Sequence, residues 1–133
     1  MWGRFFSSVR TVRRRRKRRA FGVVEYRARK EEAREMVHAR LAYWRGIHPF
    51  EHGQVRIKNH RRAWGSCSSK RNLNFNWRLV TLPPELADYV IVHELCHTVH
   101  LNHSPDFWAL LTLFVPNANN LRNQLRSIPV NLG

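Results

Sequence analysis

Apolar residues along the chain change their spacing several times, and each change marks an element. From Glu25 to Arg45, the residues Tyr26, Ala33, Met36, Val37, Leu41 and Trp44 form a stripe at helical spacing with charges elsewhere. That pattern predicts one amphipathic helix, ended by Gly46 and the following Ile47-His48-Pro49. Over 54–58 the period drops to two: Val55 and Ile57 alternate with Gln54, Arg56 and Lys58, as in a half-buried strand. A second short strand is expected around Ala63-Trp64, then a turn from Gly65 to Arg71. A third strand is expected over 72–76, where Leu73 and Phe75 alternate with asparagines. These three read as a small antiparallel meander, and 77–82 as a short helix or irregular turn.

Helical spacing then returns. Pro83-Pro84 suits a first helical turn, with Glu85 and Asp88 at the positive end of the dipole. Leu86, Tyr89, Val90, Ile91, Val92, Leu95 and Val99 wrap most of the circumference, which predicts a buried helix. Leu101-Asn102 reads as its stop. Ser104-Pro105-Asp106 reads as the cap and first turn of an apolar helix over 104–115, halted by Pro116. A short helix over 117–126 and a tail from Ile128 to Gly133 complete an α+β chain.

The buried helix carries the chemistry. His93-Glu94-Leu95-Cys96-His97 is an H-E-x-x-H pattern. Side chains at i and i+4 share a helix face, so His93 and His97 can offer two ring nitrogens to one zinc ion, with Glu94 beside them as general base. Two histidines and a glutamate inside a buried helix need partners, and a metal supplies them. His103, just past the expected stop, is the preferred third ligand. His100 is the competing one: it lies near the same face but about 10 Å along the axis from His93. Three protein ligands leave a position for water, whereas a structural zinc is closed by four. Asp106 has two readings, orienting a ligand imidazole or pairing with the helix dipole.

Composition bounds the rest. The chain has 133 residues, enough for one domain, and 43% hydrophobic content supports a core. No apolar run reaches membrane-spanning length, and arginines interrupt every apolar stretch of the first residues, against a signal peptide. Cys67 and Cys96 form no disulfide framework, which fits a reducing, cytoplasmic setting. Of the formal charge of +15, much sits in residues 1–20, which hold nine Arg/Lys and no acid, including the run Arg13 to Arg19. That segment has no helical or strand period and is expected to be a disordered basic tail, with 21–133 as the domain. Such an arm also suits nucleic acid. The alternative function is therefore a nucleic-acid-associated protein with structural zinc, or a protease carried to DNA by its tail.

The elements R-I-K-N-H-R-R-A-W-G-S-C-S at 56–68, N-L-N-F-N-W-R-L at 72–79 and Y-V-I-V-H-E-L-C-H…N-H-S-P-D-F-W at 89–108 together resemble the YgjP-like metallopeptidase family, which is similar to the WSS-type and SprT-type zinc proteases. The resemblance covers roughly 25–125. It implies a minimal zincin-like fold and zinc-dependent hydrolysis of a peptide or protein substrate. It matches His93, His97 and His103 to the metal ligands, and Glu94 to the catalytic acid/base. The W-G-S-C-S element falls on Trp64 to Ser68 and supports the sheet beside the site; direct catalysis by Ser66 or Cys67 is the weaker reading. Tyr89, His100, His52, His60 and nearby arginines are the candidates to stabilise an oxyanion.

Overall fold

The computed structural model describes the backbone of residues 2–130 and the side chains of residues 22–130. Its elements are α1 (Trp2–Ile47), β1 (Val55–Lys58), β2 (Gly65–Cys67), β3 (Leu73–Asn76), a 3-10 turn (Trp77–Thr81), α2 (Pro84–His97), α3 (Pro105–Phe114) and α4 (Ala118–Arg126). Ala33, Val37 and Leu41 of α1 are buried, with Tyr26, Met36 and Trp44 half-buried beside them, so the expected stripe is the face that packs. Arg34 pairs with Glu31 one turn back, whereas Arg40 reaches across to Asp88 of α2 in a two-pronged ion pair of 2.6 and 2.7 Å.

Two expectations change here. α1 begins at Trp2, so residues 2–20, expected as a disordered tail, continue the helix; their side chains lie outside the described residues, as does the tail from 131 onward. Arginine, lysine and alanine extend a helix at little cost, and lengthening one already nucleated at its packed end needs no new nucleus. The sheet, in turn, is mixed. Its order is β1-β3-β2, with β1 parallel to β3 and β2 antiparallel to it. Gly65 and Ile57 both flank Phe75, on opposite sides.

The link between β1 and β2 explains that order. It crosses the end of β3 and is fastened there by side chains from β3 and the turn after it. Asn76 Nδ2 donates to the carbonyls of His60 (2.8 Å) and Ala63 (3.0 Å). Arg78 Nη1 donates to the His60 carbonyl and to Asn59 Oδ1, both at 2.9 Å, and Trp77 Nε1 donates to the same Asn59 oxygen at 3.0 Å. These bonds satisfy buried polar groups and land β2 on the far edge of β3. A Cβ at Gly22 would stand 3.2 Å from Arg78 Nη2, so the bare glycine lets α1 close over that guanidinium.

α2 lies at the centre. Leu86, Ala87, Tyr89 to Val92, Leu95 and Cys96 are buried against α1, β2, α3 and α4. Val99, expected in this core, is 51% exposed, because α2 ends at His97 and the chain turns before reaching it. Among the described residues no helix is long and apolar enough to cross a membrane.

Candidate metal centre

The helical repeat of α2 sets His93 and His97 one above the other. His97 is the last residue of the helix, and its Nδ1 donates to the His100 carbonyl at 3.0 Å. A carbonyl only accepts, so the ring proton is on Nδ1 and the Nε2 lone pair faces outward. The chain then reverses, and Ser104 caps α3 by accepting from the Phe107 amide. This reversal returns His103 to the ends of the other two rings.

The three Nε2 atoms form a near-equilateral triangle: 3.1 Å from His93 to His97, 3.1 Å from His97 to His103 and 3.3 Å from His103 to His93. Nitrogens about 2.0–2.1 Å from a common ion at tetrahedral angles stand about 3.3–3.4 Å apart, so the spacing fits a zinc-sized cation. Among the described residues these are the side chains whose donor atoms group closely enough to hold a metal ion. Phe107 is the common support: its ring stacks on His97 at 4.3 Å and meets His93 and His103 edge-on at 5.0 Å each. Trp108 stacks on the outer side of His103 at 5.9 Å.

Electrostatics favour neutral rings. Burial, with His97 and His103 adding to it, pushes His93 down to about 3, and burial lowers His97 as well. Neutral imidazole is the form that binds a cation. Glu94 is 6% exposed; its Oε1 lies 3.9 Å from His93 Nε2, and its Oε2 is a buried acceptor with no partner among the described residues. Burial pushes its carboxyl up to about 8. β2 lies close behind it: a Cβ at Gly65 would stand 3.1 Å from Glu94 Cγ and 3.2 Å from the Asn74 carbonyl.

These groups sit in a cleft of about 420 Å³. Trp64 and Gly65 form one wall, Tyr89, Val90, His93 and Glu94 the floor, and His103 and Trp108 with Arg122, Leu125 and Arg126 of α4 the other wall. The four residues expected at the site therefore come together, and His103 rather than His100 completes the triangle. His100 contributes its backbone carbonyl. Asp106 is exposed in the first turn of α3, which leaves it the helix-dipole role. Ser66 is exposed on β2, and burial pushes the Cys67 thiol up to about 11, so neither is an activated nucleophile. Of the oxyanion candidates named above, Tyr89 lines the cleft, whereas His52, His60 and His100 do not. Sequence reasoning missed Trp108 as a wall against His103, and missed α4 as a wall of the cleft.

The fold is similar to that of two archaeal proteins. One is the metallopeptidase zymogen abylysin of Pyrococcus abyssi: TM-score 0.61 at 21% identity, over 68% of this chain and 92% of that one. The other is the metallopeptidase zymogen jannalysin of Methanocaldococcus jannaschii: TM-score 0.56 at 22% identity, over 71% and 94%. A search of curated proteins finds no match. The family model for the YgjP-like, metallopeptidase domain matches residues 8–128, from inside the Arg-rich segment to the end of the last helix. With that match over nearly the whole chain and three imidazoles converging beside a glutamate, the chain belongs to the YgjP-like metallopeptidase family and is a hydrolase of peptide bonds.

Proposed function

We propose that His93, His97 and His103 hold one zinc ion and that Glu94 is the general base of a zinc-dependent peptidase. The observation that carries this is the Nε2 triangle of 3.1–3.3 Å with a buried carboxylate oxygen 3.9 Å from one corner. A zinc ion held there supplies a Lewis acid for the scissile carbonyl and lowers the pKa of water. Glu94 takes the proton of the attacking water and delivers it to the leaving amine nitrogen. Burial raises the Tyr89 phenol, so it stays protonated as an O–H donor on the cleft floor. β2 is an edge strand packed on α2, and an extended substrate backbone pairs with it.

Three donors favour catalysis over the alternative of a structural zinc, which calls for a fourth. The proposed unit spans 21–133, with residues 1–20 as an appended basic segment. Both cysteines are free, which fits a reducing, cytoplasmic setting. The test is Glu94→Gln against wild type on a mixed peptide pool, zinc-loaded and chelated. Hydrolysis should vanish in the variant while bound zinc, measured by atomic absorption, stays at one equivalent. Full hydrolysis by the variant would remove Glu94 from the mechanism.

A further inference from the structure

The wall that α4 gives the cleft carries two guanidinium groups that this chemistry leaves unused. Leu121 and Leu125, one helical turn apart, turn toward the core, with Leu121 only 3% exposed. Arg122 and Arg126 therefore share the adjoining strip, and both line the cleft with His93 and Glu94. Arg122 is half-buried, with its guanidinium 5.0 Å over the Trp108 ring. Trp108 in turn stacks on His103, so one aromatic layer separates this cation from the metal centre.

Neither arginine has a carboxylate partner among the described residues, whereas Arg29, Arg34, Arg40 and Arg71 each have one. Glu94 is the single acid among the residues lining the cleft. Arg126 is exposed at the rim, but half-burying the Arg122 cation without a counter-charge is unfavourable, and a guanidinium resting over an aromatic ring has lost some of its rotational freedom. That fork matches a carboxylate in a two-pronged pair better than any other common peptide group.

We propose that Arg122 and Arg126 form a carboxylate-binding subsite beside the metal centre, selecting peptides that place a carboxylate within reach of the scissile bond. This rests on the peptidase reading above. The carboxylate has two sources, an Asp or Glu side chain and the C-terminus of a short substrate.

The test uses quenched fluorescent peptides of one core sequence in four forms: internal Glu or Gln, each with a free or an amidated C-terminus. Wild type should prefer carboxylate-bearing peptides by about 10- to 100-fold in kcat/KM, expressed in KM, and the two single-carboxylate forms tell side chain from terminus. Arg122→Gln should erase the preference while turnover of the neutral peptide is kept, and Arg126→Gln should reduce it. Arg56→Gln, a control of equal charge loss on β1, should leave it intact. No preference in wild type, or an equal loss for all four peptides in Arg122→Gln, would overturn the subsite. A second readout is the anisotropy of the same four peptides, labelled, on the Glu94→Gln protein. Arg122-dependent binding of the preferred carboxylate-bearing form without turnover by wild type would sink the peptidase reading and keep the subsite; turnover with equal binding of all four would do the reverse.

Discussion

Replacing Glu94 by Gln in the metal-free protein isolates what a buried carboxylate does to the fold. Burial pushes Glu94 from an ordinary 4.5 up to about 8. Because the folded value lies above the unfolded one, the folded state binds more protons between those limits. The Glu94 contribution to stability must therefore fall as pH rises through that window, by about 1.4 kcal/mol per pH unit, and level off above about 8. From 4.5 to pH 7 the loss amounts to about 3 kcal/mol, and at the plateau to about 5 kcal/mol. Gln does not titrate. The gap between variant and wild type should start near zero at pH 4.5 and widen by those amounts. An unpartnered amide in the variant would subtract about 1–3 kcal/mol at every pH, so the slope is the measurement rather than the level. Urea unfolding followed by tryptophan fluorescence, at pH 5, 6, 7 and 8 in excess chelator, reads it directly. Parallel pH profiles would show that Glu94 is solvated as an ordinary surface carboxylate, and the argument from its burial would fail.

His93 gives the opposite sign: its folded value, about 3, lies below the ordinary 6.5, so its contribution to the stability of the metal-free protein falls as pH falls through that window, by up to about 1.4 kcal/mol per unit, offsetting the Glu94 gain down to 4.5 and leaving a net acid limb below it. His93→Asn should flatten that acid limb, and an unchanged limb would assign it elsewhere. Trp108→Ala should weaken zinc binding about tenfold in competition with a chromogenic chelator, while Trp108→Phe keeps most of the affinity, because the ring fixes His103. Equal affinity in all three proteins would make Trp108 a bystander. Gly65→Val should cut kcat by roughly tenfold or more with zinc retained, since a Cβ there already meets Glu94 Cγ at 3.1 Å and catalytic groups tolerate about 0.5 Å of displacement. A variant with wild-type kcat would mean that β2 yields without moving Glu94.

What was legible in the sequence follows from how far apart the cooperating residues lie along the chain. The proposed ligands and their supports occupy one contiguous stretch, His93 to Trp108, where helix period and the cap at Ser104 set much of the geometry, although α2 ends at His97, earlier than the stop expected at Leu101-Asn102. The order of the sheet was not legible. Period two identifies strands but not their neighbours, and the groups that carry the β1–β2 link across β3 are Asn76, which alternation assigns to solvent, and Arg78 in the turn that follows. The start of α1 was hidden for a related reason, because a helix propagated through arginines leaves no apolar period to read. Of α4 only a short helix over 117–126 was legible, because the cleft wall that Arg122 and Arg126 form depends on how α4 docks on α2, a tertiary fact. The division has a chemical consequence. On the proposed mechanism the bond-breaking groups are specified locally, whereas the other cleft walls come from β2 on one side and α4 on the other. Substitutions on α4 can therefore alter which peptide is cut while the metal centre keeps its form, and selectivity in this fold can change without touching the reaction.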